Sequence, residues 1–150
     1  MKMKIKIKIT EVSHDNLVDL FSTALYGNNR WCVDYDVDTY MKCKNIKQDE
    51  CLEDKLARLI LEGYPIQISD MYCDGEDEYY GKLMHRYDQV NNCMDYDVYL
   101  SDIIKGLEEA SKNSTSIKYV LDLCDEPAQL DMFDADTILQ YIVFGKLIYG

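Results

Sequence analysis

The sequence predicts an α+β fold, a single compact domain with a mainly antiparallel sheet packed with three to four helices. Three observations carry this. Stretches of two-residue apolar–polar alternation are interleaved with stretches whose apolar residues recur every three or four positions. No repeat, linker or low-complexity tract divides the 150 residues. A hydrophobic content of 47% is far above that of a disordered chain, and a chain of this length buries roughly 68–70% of its unfolded surface on folding.

Residues 2–10 place Met3, Ile5, Ile7 and Ile9 on one side and four lysines on the other. The first strand is therefore expected at residues 3–9, its lysines outward as guards of a sheet edge. Ser13 is the expected N-cap of the first helix, with Val12 and Leu17 at the positions of a hydrophobic staple. Leu17, Leu20, Phe21, Ala24 and Leu25 form its apolar stripe, and Gly27 ends it. The segment from Trp31 to Asp38 alternates again, with Trp31, Val33, Tyr35 and Val37 expected inward and Asp34, Asp36 and Asp38 outward.

A second helix is expected over about 49–62 from Leu52, Leu56, Leu59 and Ile60, with Gly63 just beyond its end. Ile66 to Tyr72 reads as a strand leading into an acidic turn at Asp74–Gly75. Lys82 to Asp88 reads as the returning strand of that hairpin. A third helix is expected over about 98–111, a strand at Ser116–Leu123, and a last helix from near Asp134. In that helix Ala135, Ile138, Leu139 and Ile142 face inward before Gly145.

Charge is the most informative bulk property. Sixteen Lys and Arg face 28 Asp and Glu, a formal net charge of −12. Direct nucleic-acid binding is disfavoured, because phosphate contacts need clustered cations. An acidic surface suits a basic protein partner and steers its approach. No apolar run reaches the roughly 20 residues of a membrane span, and the first residues lack the apolar block of a signal peptide. A cytoplasmic protein without membrane contact is expected. Cys32, Cys43, Cys51, Cys73, Cys93 and Cys124 form no C-x-x-C pair. They are expected as free thiols, with Cys32 and Cys124 serving as small core residues.

No catalytic set emerges, and a non-enzyme is expected. Ser13 beside His14 is a helix start, where neighbouring side chains diverge, and His85 has no motif around it. A calcium loop beginning at Asp34 fails at Thr39 and Asn45, which stand where Gly and Glu are required. Two histidines without ligand spacing give no metal motif, so no metal and no cofactor are expected, although convergence of separate cysteines in space stays open. Acids recur in pairs, Asp95/Asp97 and Asp134/Asp136 among them, and many of the 13 tyrosines stand beside acids. Tyr35, Tyr64 and Tyr119 are expected to fill the core. The expected partner-binding residues are Asp34, Asp36, Asp38, Asp74, Glu76, Asp77, Glu78, Tyr79, Tyr80 and Tyr96, since tyrosine and charge together mimic the stacking and phosphate surface of a nucleic acid.

The C-terminal segment with Asp136, Gln140, Tyr141, Phe144, Gly145, Tyr149 and Gly150 resembles the ending of a family of small uncharacterised proteins of phages, prophages and plasmids. Ala24, Gly27, Trp31 and Cys32 match that family's N-terminal helix, glycine turn and Trp-Cys strand. The chain departs from the pattern at Asn28 and Lys146. The resemblance carries no activity. It implies a mobile-element origin and an accessory role. With the strong acidity and the lack of a catalytic set, the expected function is a phage- or prophage-encoded inhibitor of bacterial antiviral defence, of anti-CRISPR or anti-restriction type, bound to a basic nucleic-acid-binding surface of a host effector in the host cytoplasm. Two alternatives stay open: a sponge for a nucleotide immune signal, which would need pockets built from Arg30, Arg58 or Arg86, and a phage structural or assembly accessory. The oligomeric state is open as well, a homo-oligomer included.

Overall fold

The computed structural model describes residues 12–27, 30–72, 83–113 and 132–148. In chain order these form α1 (His14–Gly27), β1 (Trp31–Asp34), α2 (Val37–Tyr40), α3 (Leu52–Leu61), β2 (Ile66–Asp70), β3 (His85–Asp88), β4 (Cys93–Val98), α4 (Leu100–Asn113) and α5 (Met132–Phe144). The strands make one antiparallel sheet in the order β1-β2-β4-β3. The chain has the α+β fold expected of it. The first strand expected at 3–9, the Asp74 turn, the strand at 116–123, Tyr119 and Cys124 lie outside the described residues.

Local chemistry sets the helix ends. The Ser13 hydroxyl accepts a hydrogen bond from Asn16 N at 3.1 Å, and Asn16 Oδ1 accepts from Ser13 N at 3.3 Å, a reciprocal capping box. Val12 and Leu17, the two staple positions, are both buried. At the end of α3, Gly63 N donates to Ile60 O and Tyr64 N to Leu59 O. This 5→2 and 6→1 pair is a Schellman motif, and it requires the left-handed φ of +90° that Gly63 adopts. Gly145 ends α5 with the simpler left-handed cap, at φ +74° and with its N donating to Tyr141 O at 3.1 Å.

The helices bury their stripes against one face of the sheet. Leu17, Phe21 and Ala24 of α1, Leu56, Leu59 and Ile60 of α3, Ile103 and Ala110 of α4, and Ala135, Ile138 and Leu139 of α5 are all at most 1% exposed and share one core. Phe144 of α5 sets its ring 5.9 Å from Trp31 and 6.0 Å from Tyr96. A network centred on Asp136 fastens α5 to β1: its carboxylate accepts from Trp31 Nε1 at 2.6 Å, Arg30 Nη1 at 3.2 Å and Gln140 Nε2 at 2.9 Å. Among the described residues no helix is long and apolar enough to cross a membrane.

Three expectations are corrected. The strand from Trp31 stops at Asp34, because Asp36 caps a one-turn helix by accepting from Thr39 N and Oγ1. The turn leaves Val37 60% exposed rather than inward. Cys32 is exposed, since alternation places it on the face opposite Trp31 and Val33. Finally, β3 pairs with β4, not with β2. The segment from Cys93 to Val98, unassigned from sequence, is the strand between them.

Candidate functional site

Cross-strand register divides the sheet into two chemically distinct faces. Residues directly opposite in an antiparallel pair project to the same side. Val33, Ile68, Tyr96 and His85 therefore form one row, and Trp31, Asp70, Met94 and Tyr87 another, on the side that receives the helices. The other side carries Cys32, Ser69, Asp95 and Arg86 in one row. Asp34, Gln67 and Asp97 form the next, and Cys93 and Asp88 stand opposite each other at the far end. Every strand position on this second face is polar or a cysteine.

The polar face is wired across its strands. Ser69 Oγ donates to Asp95 Oδ1 at 2.6 Å, and Cys93 Sγ donates to the same oxygen at 3.3 Å. Arg86 Nη2 donates to Gln67 Oε1 at 2.6 Å, while its Nη1 meets Asp97 Oδ1 at 3.3 Å. At the β1 end a depression of about 210 Å³ is lined by Asp34, Tyr35, Asp36, Gln67, Arg86 and Asp97. Three carboxylates and a single guanidinium thus line it. Bonding to the Thr39 hydroxyl, first among several favourable contacts, holds the Asp36 carboxyl below the usual carboxylate range, so it stays ionised.

Of the expected binding residues, Asp34 and Asp36 come together at this depression, and Asp38 stands exposed on the first turn of α2. They are exposed acids, although only Asp34 belongs to a strand. Asp74, Glu76, Asp77, Glu78, Tyr79 and Tyr80 lie outside the described residues. Tyr96 is a correction. It is 1% exposed, because it belongs to the apolar row of β4 between Ile68 and His85 and packs on Phe144. Tyr35 and Tyr64 are partly buried against the core.

Sequence reasoning did not assign Gln67, Arg86, Asp95 and Asp97 to this face. The signal was present in the alternation of Met94, Tyr96 and Val98 with Cys93, Asp95 and Asp97.

Each arginine is engaged by a carboxylate. Arg30 pairs with Asp136, Arg86 with Asp97, and Arg58 with Glu50 at 2.9 Å. The last pair sits beneath Tyr40, whose hydroxyl donates to Glu50 at 2.7 Å. Arg58 hydrogen bonding holds the Glu50 carboxyl down to about 2. All three arginines are thus engaged by carboxylates.

No family model matches this chain, and neither the curated proteins nor the solved structures contain a significant match to it.

Proposed function

We propose that the protein is an inhibitor that acts by binding, with the acid-rich sheet face docking on a basic, nucleic-acid-binding surface of a host defence effector. The observation that carries this reading is the grouping of Asp34, Asp36 and Asp97 around one depression, with Arg86 the single cation lining it. Asp34 and Asp97 share one cross-strand row with Gln67 between them, and Asp36 lines the same depression, so the carboxylates collect on one side of the sheet. A basic groove meets such an array as it would a phosphate backbone, which makes competition with nucleic acid the expected mode of inhibition. Pairing of all three arginines with carboxylates weighs against the sponge reading.

The test is capture of partners from bacterial lysate by immobilised protein at low and high salt. Wild type is compared with a variant carrying Asp34→Asn, Asp36→Asn and Asp38→Asn, which keeps an effective cap at position 36. A captured nucleic-acid-binding protein, released by salt and displaced by competing duplex DNA, is expected for wild type and much reduced for the variant. Exposed charges are screened beyond about 8 Å at physiological ionic strength. Capture that ignores both salt and the substitutions would therefore refute charge mimicry.

A further inference from the structure

We propose that Asp88, Cys93 and Asp95 form a binding site for a divalent transition cation of the zinc class, at the β3–β4 end of the acid face. The site goes beyond the partner-binding reading and does not depend on it. It also revises the expectation, drawn from motif spacing, that the chain holds no metal. The three residues are brought together by pairing rather than by a sequence motif. Asp88 and Cys93 are direct cross-strand partners, and Asp95 follows Cys93 by two residues on the same face. One ligand atom from each lies within 4.8 Å of the other two. Around tetrahedral zinc, bond lengths of about 2.0–2.3 Å set ligand atoms roughly 3.5 Å apart, so small side-chain rotations close the set.

The burial of Asp95 points independently to a cation. Its side chain belongs to a residue only 6% exposed, where an unpaired carboxylate is costly. Both of its hydrogen bonds, from the Ser69 hydroxyl and the Cys93 thiol, fall on Oδ1. Among the described residues it makes no ion pair. Arg86, its cross-strand neighbour, turns to Asp97 and Gln67 instead. A bound cation would supply the missing charge.

Asp88 is ready to serve as a ligand. Hydrogen bonds from the Asn91 side chain, Asn91 N and Val90 N fix its carboxylate in place at the turn. In the free protein the Cys93 thiol donates its hydrogen to Asp95 Oδ1. The free protein therefore carries Cys93 as S–H. Binding breaks that bond, forms a sulfur–metal bond and passes one proton to buffer. A sulfur among only three protein ligands excludes calcium and magnesium, which take oxygen, and leaves a fourth position for water.

Zinc titration of the reduced full-length chain by calorimetry, in two buffers of different ionisation enthalpy, tests the site. One saturable zinc with release of about one proton is expected. Asp88→Asn and Asp95→Asn should each weaken binding at least about tenfold, the lower end of what even supporting residues cost. Asp88→Asn keeps the turn donors paired, so it serves if Asp95→Asn disturbs folding. Cobalt should give a thiolate charge-transfer band that Cys93→Ser abolishes and that Cys32→Ala and Cys51→Ala retain. Absence of saturable binding overturns the proposal. So does zinc affinity unchanged in the folded Asp88→Asn variant, or a cobalt band that survives Cys93→Ser.

Discussion

Replacing Gly106 by alanine should destabilise the protein, although the same change in a solvent-facing helix stabilises it. Gly106 lies in the middle of α4, buried where that helix crosses α5. A Cβ there would stand 2.3 Å from Ile142 Cγ1, 2.6 Å from Ile142 Cα and 2.7 Å from Ile142 N. Ordinary contact starts at 3.4 Å, so relief against the Ile142 backbone requires the helices to part by about 0.8 Å, the difference between 3.4 and 2.6 Å. No rotamer change can provide this, because two of the three obstructing atoms are main chain. Overpacking costs about 1–3 kcal/mol, and the backbone contact favours the upper end. Alanine recovers about 1 kcal/mol of helix propensity, which leaves a net loss of about 2 kcal/mol. Urea unfolding should show a lower midpoint at unchanged slope. Adding Ile142→Ala should not restore stability, since it removes Cγ1 and leaves Cα and N in place. A Gly106→Ala protein as stable as wild type, or more so, would refute the close crossing of α4 and α5.

Two carboxylates should show opposite pH signatures. Glu50 is depressed from 4.5 to about 2, chiefly by Arg58, so its stabilisation is complete above about 4.5 and fades as pH falls towards 2. Glu50→Gln should flatten that part of the acid-unfolding profile. Asp19 is raised from 3.8 to about 6 by burial, so its cost appears as pH rises from 3.8 through about 6. Asp19→Asn should therefore stabilise the protein at pH 7 and scarcely change it at pH 3, as read by thermal melts. Cys51 is exposed, yet hydrogen bonds to Asp54 first and Glu53 second push its thiol up to about 11. Its alkylation at pH 8 should be slow for an accessible thiol and faster in Asp54→Asn. Trp31→Phe keeps an aromatic ring beside Phe144 but removes the donor to Asp136. A loss of about 1–3 kcal/mol is expected for the partner left unsatisfied, and a smaller one would mean that Arg30 and Gln140 satisfy Asp136 alone.

The helices were legible in the sequence because their signals are local. Ser13, Gly63 and Gly145 fix ends through caps that involve only neighbouring residues. The apolar stripes of α1, α3 and α5 predicted the residues now buried. Strand identity was less legible where both partners lie far off in sequence. In β4, acids alternate with Met94, Tyr96 and Val98, a pattern shared by a solvated strand and by a central strand with one polar face. Only the pairing of β4 with β2 and β3 decides between them, and it buries Tyr96 while collecting Asp95 and Asp97 beside Arg86. At Asp36 the opposite error arose: the alternation continues in sequence, but capping by its side chain ends the strand.

The attachment of α5 bears on the order in which the chain can fold during synthesis. Arg30 and Asp136 are 106 positions apart, and Trp31 and Asp136 are separated by 105. Closing so long a segment must precede the contacts that reward it, a slow step compared with hairpin or helix formation. Until residue 144 leaves the ribosome, Trp31 and Tyr96 lack the ring that lies beside both. Between the emergence of β4 and that of α5, the nascent chain therefore leaves uncovered the part of the apolar sheet face that Phe144 comes to occupy. A chain stopped before Met132 should be a substrate for chaperones and proteases, and supplying residues 132–148 as a separate peptide should protect it.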